Sequence, residues 1–332
     1  MKRSNVIIIG AGIAGLSAGC YLQMNGYDTK IYELHETPGG LCTYWKRKRY
    51  TFDGCIHSIG GLNPKFRLYH YWNEIVDISK LKFFHNEILG TVEDENGKKI
   101  TCFTNPDKLK KELLSIAPED EKFINAFIKT IQILENKDLS PKKPLELWTP
   151  LDYFLSQFRV GSVLYQLTKW RKSLEEMTKK CKNPFLKRAL NMDFFSHYPA
   201  YFFIMSLGHC NNKNSGYPIG GSLAFARLFE NRYLELGGEI NYRKKVIQID
   251  TKENQAIGVK LENGEIHNDA DIVISAADGY YTIFKLLEGK YVNEKIKKLY
   301  DEHPRWSSMV LVSLGLSRKF ENEPTSVELH LN

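Results

Sequence analysis

The N-terminal pattern of apolar and polar positions predicts a strand, a helix and a second strand. Residues 6–9 are all branched aliphatic, which is typical of a short strand buried on both faces. After a glycine-rich turn, apolar positions recur at helical spacing: Ile13, Leu16, Cys20 and Met24. Residues 29–32 form a second predicted strand. The first 20 residues also resemble a secretory signal that ends in a lipoprotein cleavage box. Such a box needs a branched apolar residue at the position of Ser17, so we interpret these residues as part of the fold.

The last third of the chain shows a second set of regular patterns. Ser222 is the predicted N-cap of a helix that stops at Gly237 and Gly238. Short strands separated by polar residues follow, with Asn263 and Gly264 as a hairpin turn, and they predict a β-meander over residues 246–249, 257–261 and 265–267. Residues 272–275 are apolar, which predicts a strand that returns to a parallel sheet.

Between these regions, residues 66–210 have a mainly helical pattern. One apolar helical face consists of Leu109, Leu113 and Ile116, and another of Phe123, Phe127, Ile131 and Leu134. An aromatic run at residues 198–205 suits either a packed core or the lining of an apolar tunnel. We favour the core, because aromatic side chains are usually buried in one.

The composition indicates a globular protein of about two domains. The 332 residues are 42% hydrophobic and 26% charged, and no stretch reaches the roughly 18 apolar residues of a membrane span. A net charge of +7, scattered along the chain, does not predict nucleic-acid binding. The densest basic cluster, residues 46–49, is interpreted as an exposed hairpin turn, with docking on an anionic membrane as the less favoured alternative.

The six cysteines indicate free thiols rather than a disulfide framework. They are widely spaced and contain no CxxC pair, which is typical of a protein in a reducing compartment. Cys42, Cys55 and His57 form the one cluster with metal-ligand chemistry, but a second closely spaced ligand pair is missing. We therefore predict no metal site.

The glycine-rich turn at residues 10–15 fits the GxGxxG pattern of dinucleotide-binding folds. Gly10 would allow the sharp turn, Gly12 the close approach of a pyrophosphate, and Gly15 the packing of helix on strand. Free backbone amides at the start of the helix can bind the phosphates, and Glu33, at the end of the second strand, can accept hydrogen bonds from ribose hydroxyls.

Two other interpretations of this glycine-rich segment are possible. The glycines could serve only the packing of a loop, or residues 15–19 could be the GxSxG motif of a hydrolase. The hydrolase is disfavoured, because Ser17 would lie inside the helix instead of on the strained turn that exposes a nucleophile.

Four blocks of the sequence together resemble a known family. Gly39 and Gly40 add a second glycine pair after the acidic residue. The resemblance is to the phytoene desaturase, carotenoid isomerase and retinol saturase group of FAD-dependent oxidoreductases, within the amine oxidase superfamily. It rests on residues 6–40, 50–61, 217–222 and 270–278.

The resemblance implies an α/β fold with two domains. One is an FAD-binding Rossmann-like domain with a β-meander, discontinuous and glutathione-reductase-like, expected over residues 1–65 and 211–285. The other is a helix-rich α+β substrate or cap domain, expected over residues 66–210 and 286–332. Relatives continue past the position of Asn332 to a last flavin-contacting segment, so the second domain is expected to be incomplete at its C-terminus.

FAD is the cofactor that the resemblance implies. Leu41 departs from the family, because many relatives carry an arginine directly after the glycine pair. His57 is the candidate catalytic group, a proton shuttle near the flavin, with a hydrogen-bonded structural histidine as the alternative. Val246 would reach the adenine through its backbone. The residues expected to bind FAD are Gly10, Gly12, Ala14, Gly15, Glu33, Gly39, Gly40, Leu41 and Val246.

The implied activity is hydride transfer to or from flavin N5 on an apolar polyene or isoprenoid, carotenoid- or retinoid-like, giving desaturation, saturation or isomerisation. The alternatives are a flavin amine oxidase-type enzyme, an NAD-dependent dehydrogenase and a non-catalytic prenyl-binding protein of the Rab GDP dissociation inhibitor type. An apolar small molecule is the expected partner. The expected location is cytoplasmic, with peripheral contact at the cytoplasmic membrane face left open. The oligomeric state and the electron acceptor are also left open.

Overall fold

The computed structural model describes residues 4–191, 197–302, 312–318 and 327–329. The helices are α1 (Ile13–Met24), α2 (Arg67–Ile75), α3 (Pro106–Ile116), α4 (Glu121–Leu134), α5 (Pro150–Lys169), α6 (Leu174–Thr178), α7 (Pro184–Leu190), α8 (Ala200–Asn211), α9 (Gly221–Glu235) and α10 (Glu294–Glu302). Short 3₁₀ segments cover Ile78–Lys80, Pro118–Asp120 and Leu145–Leu147, and a π-helical turn covers Tyr281–Leu286.

The strands form five small sheets. They are β1 (Asn5–Ile9), β2 (Asp28–Tyr32), β3 (Tyr44–Arg47), β4 (Tyr50–Asp53), β5 (Ile59–Gly60), β6 (Phe83–Phe84), β7 (Ile88–Glu93), β8 (Lys99–Phe103), β9 (Ser215–Pro218), β10 (Glu239–Asn241), β11 (Val246–Lys252), β12 (Gln255–Leu261), β13 (Ile266–His267), β14 (Ile272–Ser275) and β15 (Val327–Leu329). The strand orders are β10-β2-β1-β14, β11-β12-β13, β15-β7-β8, β3-β4 and β5-β9-β6.

The parallel sheet confirms the predicted βαβ unit and its distant fourth strand. Ile8 of β1 lies opposite Ile31 of β2 on one side and Ile274 of β14 on the other. All the strand pairs of this sheet are parallel. Since a central parallel strand is covered on both faces, its continuous apolar sequence follows from its position.

The β-meander is also confirmed. β11 pairs antiparallel with β12, and β12 with β13. Gly264 has a φ of 91° in the predicted turn, a conformation that glycine adopts without strain. One face of the meander packs in a hydrophobic core with residues of β1, β2 and the π-helical turn: Ile7, Ile9, Tyr32, Val246, Ile249, Val259, Leu261 and Leu286.

Helix α9 lies where it was predicted, but its N-cap differs. The cap is Gly220, with a φ of 103°, and Ser222 is already inside the helix. The prediction of Ser222 as the cap was therefore wrong, and its side chain has a different partner, described below. The helix ends before Gly237, whose φ of 93° is the left-handed conformation typical of a C-terminal stop.

The helical region packs around one hydrophobic core. The two predicted apolar faces lie on α3 and α4; most of their residues are buried in it, and Ile116 and Phe123 pack against it while partly buried. Phe127 stacks on Phe203 at 6.1 Å and meets Trp170 edge-on at 5.8 Å. Phe203 and Ile204 of the aromatic run are fully buried in this cluster, whereas Phe202 is 48% exposed, so the run is core only in part.

The chain divides into two compact units. The first comprises Met1–His57, Trp72–Lys82 and Pro218–Ser317, and the second Ser58–Tyr71, Phe83–Tyr217 and Arg318–Asn332. The expected domain ranges differ, since residues 58–65 and 211–217 fall in the second unit. The reason is the β5-β9-β6 sheet, in which Ile59 pairs with Gly216. Residues 286–317 fall in the first unit, where Leu286 is buried in the core of the meander.

The predicted basic hairpin is present as β3-β4, with Lys48 in the left-handed conformation at its exposed turn. Within the described part of the chain, no helix combines the length and the apolar character needed to cross a bilayer.

Candidate dinucleotide site

The turn between β1 and α1 is held by close backbone contacts. Gly10 has a φ of 98°, and its amide donates to the carbonyl oxygen of Tyr32 at 2.9 Å. A Cβ on Gly15 would lie 2.0 Å from the carbonyl oxygen of Gly10. Both glycines are therefore required by the turn itself, in the roles that the motif predicts for them.

Gly12 is different, because nothing in the protein requires a glycine there. Its φ is −69°, and a Cβ would approach only Gly39 O at 3.9 Å and Gly40 Cα at 4.0 Å, ordinary contact distances. The missing side chain leaves an open approach to the backbone at the N-terminus of α1. This open approach is the feature that a pyrophosphate requires.

The first turn of α1 presents amides to the same place. The first helical hydrogen bond runs from Leu16 N to Gly12 O, at 2.9 Å. Among the described residues, the amides of Ala14 and Gly15 have no acceptor. Ala14 is exposed, and no acidic residue lies in this turn. Free amides and the positive end of the helix dipole make the turn suited to an anion.

The second glycine pair lies against the first turn. Gly39 donates from its amide to Ala11 O at 2.8 Å, and it forms an isolated parallel bridge with Gly12. Gly39 and Gly40 have φ values of 109° and 59°. The next side chain, Leu41, is 82% exposed and adds no charge to the loop. The structure thus brings the two glycine motifs together, as the sequence predicted.

Glu33 links the end of β2 to both loops. Its side chain is 5% exposed; Oε2 accepts from the Ala11 amide at 2.6 Å and Oε1 from the His35 amide at 2.8 Å. A carboxylate has about four lone-pair sites, so two remain for ribose hydroxyls. Glu33 therefore also orders the glycine turn, a role that the motif alone did not reveal.

Val246 lies beside Glu33 in the fold. Lys244 donates from its amide to Glu33 O at 2.8 Å, and β11 begins two residues later at Val246. The Val246 side chain is buried, so its backbone is the part available to a ligand. The cations of this segment are paired: Lys245 with Glu262 at 2.7 Å, and Lys244 with Glu265 at 2.6 Å. The hydrogen bond to Glu262 raises the pKa of Lys245.

Asp53 and Ser222 form a contact that the sequence analysis missed. The Ser222 amide donates to Asp53 Oδ2 at 2.7 Å, and the Ser222 hydroxyl donates to Asp53 Oδ1. The same hydroxyl accepts from the Ile56 amide at 2.8 Å. Both residues stand in blocks that carried the family resemblance, but neither block indicates that they meet.

His57 follows directly after this anchored segment. Its side chain is exposed and has no hydrogen-bond partner in the part of the chain that the structure describes. Its predicted catalytic role stays a prediction.

A separate apolar groove lies within the helical unit. It has a volume of about 380 Å³ and is lined mainly by Leu139, Pro141, Leu145, Trp148 and Leu155, with charged groups that include Asp138, Lys143 and Asp152. Lys143 and Asp152 pair at 2.7 Å, which leaves an overall apolar wall. The aromatic run at residues 198–205, for which a tunnel lining was the less favoured interpretation, does not line this groove.

Comparison with known proteins supports the dinucleotide-binding interpretation. A family model described as an NAD(P)-binding Rossmann-like domain matches residues 8–75, the part that contains both glycine motifs. The chain is 27% identical to prolycopene isomerase 1 of an Oncidium hybrid cultivar, over 93% of this chain and 54% of that protein. It is 25% identical to the lycopene-forming phytoene desaturase of Pseudescherichia vulneris, over 99% of this chain and 65% of that protein.

Solved structures show the same fold at lower identity. An oxidoreductase from Methanosarcina mazei has a TM-score of 0.55 and 19% identity, covering 90% of this chain and 64% of that one. A Rab GDI from Plasmodium falciparum has a TM-score of 0.52 and 15% identity, covering 85% and 66%. The chain spans between about half and two thirds of the length of the curated relatives described above.

Proposed function

We propose that this chain is part of an FAD-dependent oxidoreductase that acts on an apolar polyene. The proposal is supported by the sequence similarity of the chain to carotenoid desaturases and isomerases, which agrees with the predicted resemblance. The observation that carries the proposal is the open approach at Gly12. It lies beside Gly39 and Gly40 and next to the buried carboxylate of Glu33. This combination suits a long dinucleotide better than a mononucleotide.

The residues of the site divide the binding of FAD between them. The amides of Ala14 and Gly15 receive the pyrophosphate at the helix N-terminus. Glu33 accepts the ribose hydroxyls with the lone pairs that the Ala11 and His35 amides leave unused. The backbone of Val246 contacts the adenine. Because Leu41 provides no positive charge, the negative charge of the phosphates would be stabilised by the backbone amides and the dipole at the N-terminus of α1.

FAD, when bound, supplies a hydride acceptor or donor at N5 of the flavin. The protein's share is to orient the substrate and to exclude water. Asp53 and Ser222 fix the segment that ends at Ile56, and this sets the position of His57. In this proposal His57 would hold or move a proton beside the flavin.

The substrate that the relationship favours is apolar and carotenoid-like. The names of the relatives given above refer to prolycopene and phytoene, whereas the Rab GDI structure shares only the architecture. The groove lined by Leu139, Trp148 and Leu155 has the apolar character that such a substrate needs. Desaturation, saturation and isomerisation all remain consistent with this proposal.

The test is the visible absorption spectrum of the purified chain, together with chromatography of the nucleotide released on denaturation. We expect stoichiometric FAD, and bleaching of the flavin when a carotenoid or retinoid substrate is supplied under anaerobic conditions. Bleaching by a primary amine alone would favour the amine oxidase alternative. A folded chain that takes up no FAD, even when it is extended to the length of its relatives, would overturn the proposal in favour of a binding protein.

A further inference from the structure

Two cysteines lie opposite each other at the open end of the β3-β4 hairpin. The antiparallel register places Tyr44 opposite Asp53, and one residue further on Gly54 donates from its amide to Thr43 O at 2.9 Å. Continuing this register places Cys42 opposite Cys55. Facing residues in an antiparallel pair have Cα atoms about 4.5–5.5 Å apart, within the range of about 4.4–6.8 Å that a disulfide accepts.

The two cysteines lie close enough to affect each other electrostatically. After the larger effect of burial, Cys55 and the Asp53 carboxylate also raise the pKa of Cys42. Both residues are partly exposed, so a small reagent can reach them. The other four cysteines (Cys20, Cys102, Cys181 and Cys210) are all buried. Register and access thus coincide at this one pair of cysteines.

We propose that Cys42 and Cys55 form a dithiol site that a low-molecular-mass disulfide converts to an intramolecular disulfide. In the structure all six cysteines are free thiols, as the spacing predicted, and the proposal concerns what an oxidant does to this one pair. The proposal is independent of the FAD function, since it rests only on the geometry of the hairpin.

The chemistry balances as two thiol–disulfide exchanges. The thiolate of one cysteine attacks oxidised glutathione, forms a mixed disulfide and releases one glutathione thiolate, which takes up a proton. The second cysteine, as its thiolate, attacks the protein sulfur of the mixed disulfide and releases a second glutathione. The two cysteines are oxidised, one oxidised glutathione is reduced to two thiols, and the protons of the cysteines end on these thiols.

The reaction should accelerate with pH. Burial, with smaller effects of the neighbouring Cys55 and Asp53, raises the pKa of Cys42 to about 11. Since the thiolate is the attacking species, the pair stays reduced longer at neutral pH than in alkaline buffer.

The experiment treats the full chain with oxidised glutathione at mildly alkaline pH, quenches with acid, alkylates the remaining thiols and digests with trypsin. Basic residues between the two cysteines place them on separate peptides. We expect one disulfide-linked pair of peptides carrying Cys42 and Cys55, reversed by dithiothreitol, while the four buried cysteines are recovered alkylated after unfolding.

The single variants Cys42→Ser and Cys55→Ser are the matched controls. Each should stop at a stable glutathione adduct on the remaining cysteine, because the second exchange has lost its nucleophile. Wild-type protein that keeps glutathione on either cysteine without forming the linked peptide would overturn the proposal. So would wild-type protein in which both thiols stay unmodified while free cysteine in the same buffer is oxidised. These two outcomes need no variant to fold.

Discussion

At the scale of single residues, we expect different effects when each of two glycines of the same motif, Gly12 and Gly15, is replaced by alanine. A Cβ on Gly12 meets only ordinary contacts, so Gly12→Ala should leave the fold intact. It should weaken FAD binding by about 1–3 kcal/mol, the usual cost of an extra carbon in a close contact. Gly15→Ala should prevent folding, because its Cβ would lie 2.0 Å from Gly10 O.

Calorimetric titration of the apoprotein with FAD measures the affinity, and circular dichroism follows the fold. Gly161→Ala is the matched control, since a Cβ there meets nothing within 4 Å and the position is remote in sequence from the motif. If Gly12→Ala bound FAD as tightly as the wild type, the phosphates would have to lie elsewhere.

Residue roles were predictable from sequence where the partner is close in the chain. The roles of Gly10 and Gly15 follow from a local turn, and the structure shows both of them; the role of Gly12 towards a pyrophosphate stays a prediction. Ser222 was misassigned because capping is judged from neighbouring residues, whereas its hydroxyl bonds to Asp53 from a distant part of the chain. The sequence grouped Cys42 with Cys55 as a weak metal candidate, but it could not show that they face each other, because this depends on a register that only the folded hairpin fixes.

At the scale of elements, strong periodicity made the prediction reliable. β1 and β14 were found from uninterrupted apolar runs, and α3 and α4 from their apolar faces. The short strands β5, β6 and β9 were not predicted, because two to four residues carry no periodicity and their pairing is fixed by tertiary contacts. Those strands also explain why the two compact units have other boundaries than the expected domains.

Helix α8 carries a pH-sensitive group in its last turn. Burial lowers the pKa of His209 below its ordinary value of 6.5, with the Asp138 carboxylate opposing the effect. The unfolded chain therefore binds more protons below this pH than the folded chain, and stability is lost as the pH falls through that range. Above it, the histidine is neutral in both states and adds no pH dependence.

His209→Gln should flatten this dependence. We expect the free energy of unfolding, measured by urea titration on each side of pH 6.5, to change less steeply than in the wild type, by up to ~1.4 kcal/mol per pH unit. Equal slopes in the two proteins would show that His209 is not the group responsible.

At the scale of the whole molecule, each unit has a hydrophobic core of its own. Phe127→Ala should therefore destabilise the second unit by about 3–5 kcal/mol, the usual cost of removing a fully buried phenylalanine. Hydrogen exchange should accelerate over residues 83–190 and stay unchanged in β1, β2 and β14.

Leu147→Ala is the control for this experiment, because that side chain lies in the same unit but is largely exposed. It should leave exchange unchanged in both units. Equal acceleration of exchange in both units by Phe127→Ala would mean that the two cores unfold as one.

The place of β14 in the parallel sheet also constrains how the chain is made. β1 leaves the ribosome long before the partner for one of its edges, Ile272–Ser275, which follows more than 260 residues later in the sequence. At about 5–20 residues per second, the unpaired edge of β1 waits on the order of tens of seconds for that partner. An unpaired strand edge is a template for aggregation. The yield of folded protein in cells should therefore depend on how well chaperones shield the nascent β1.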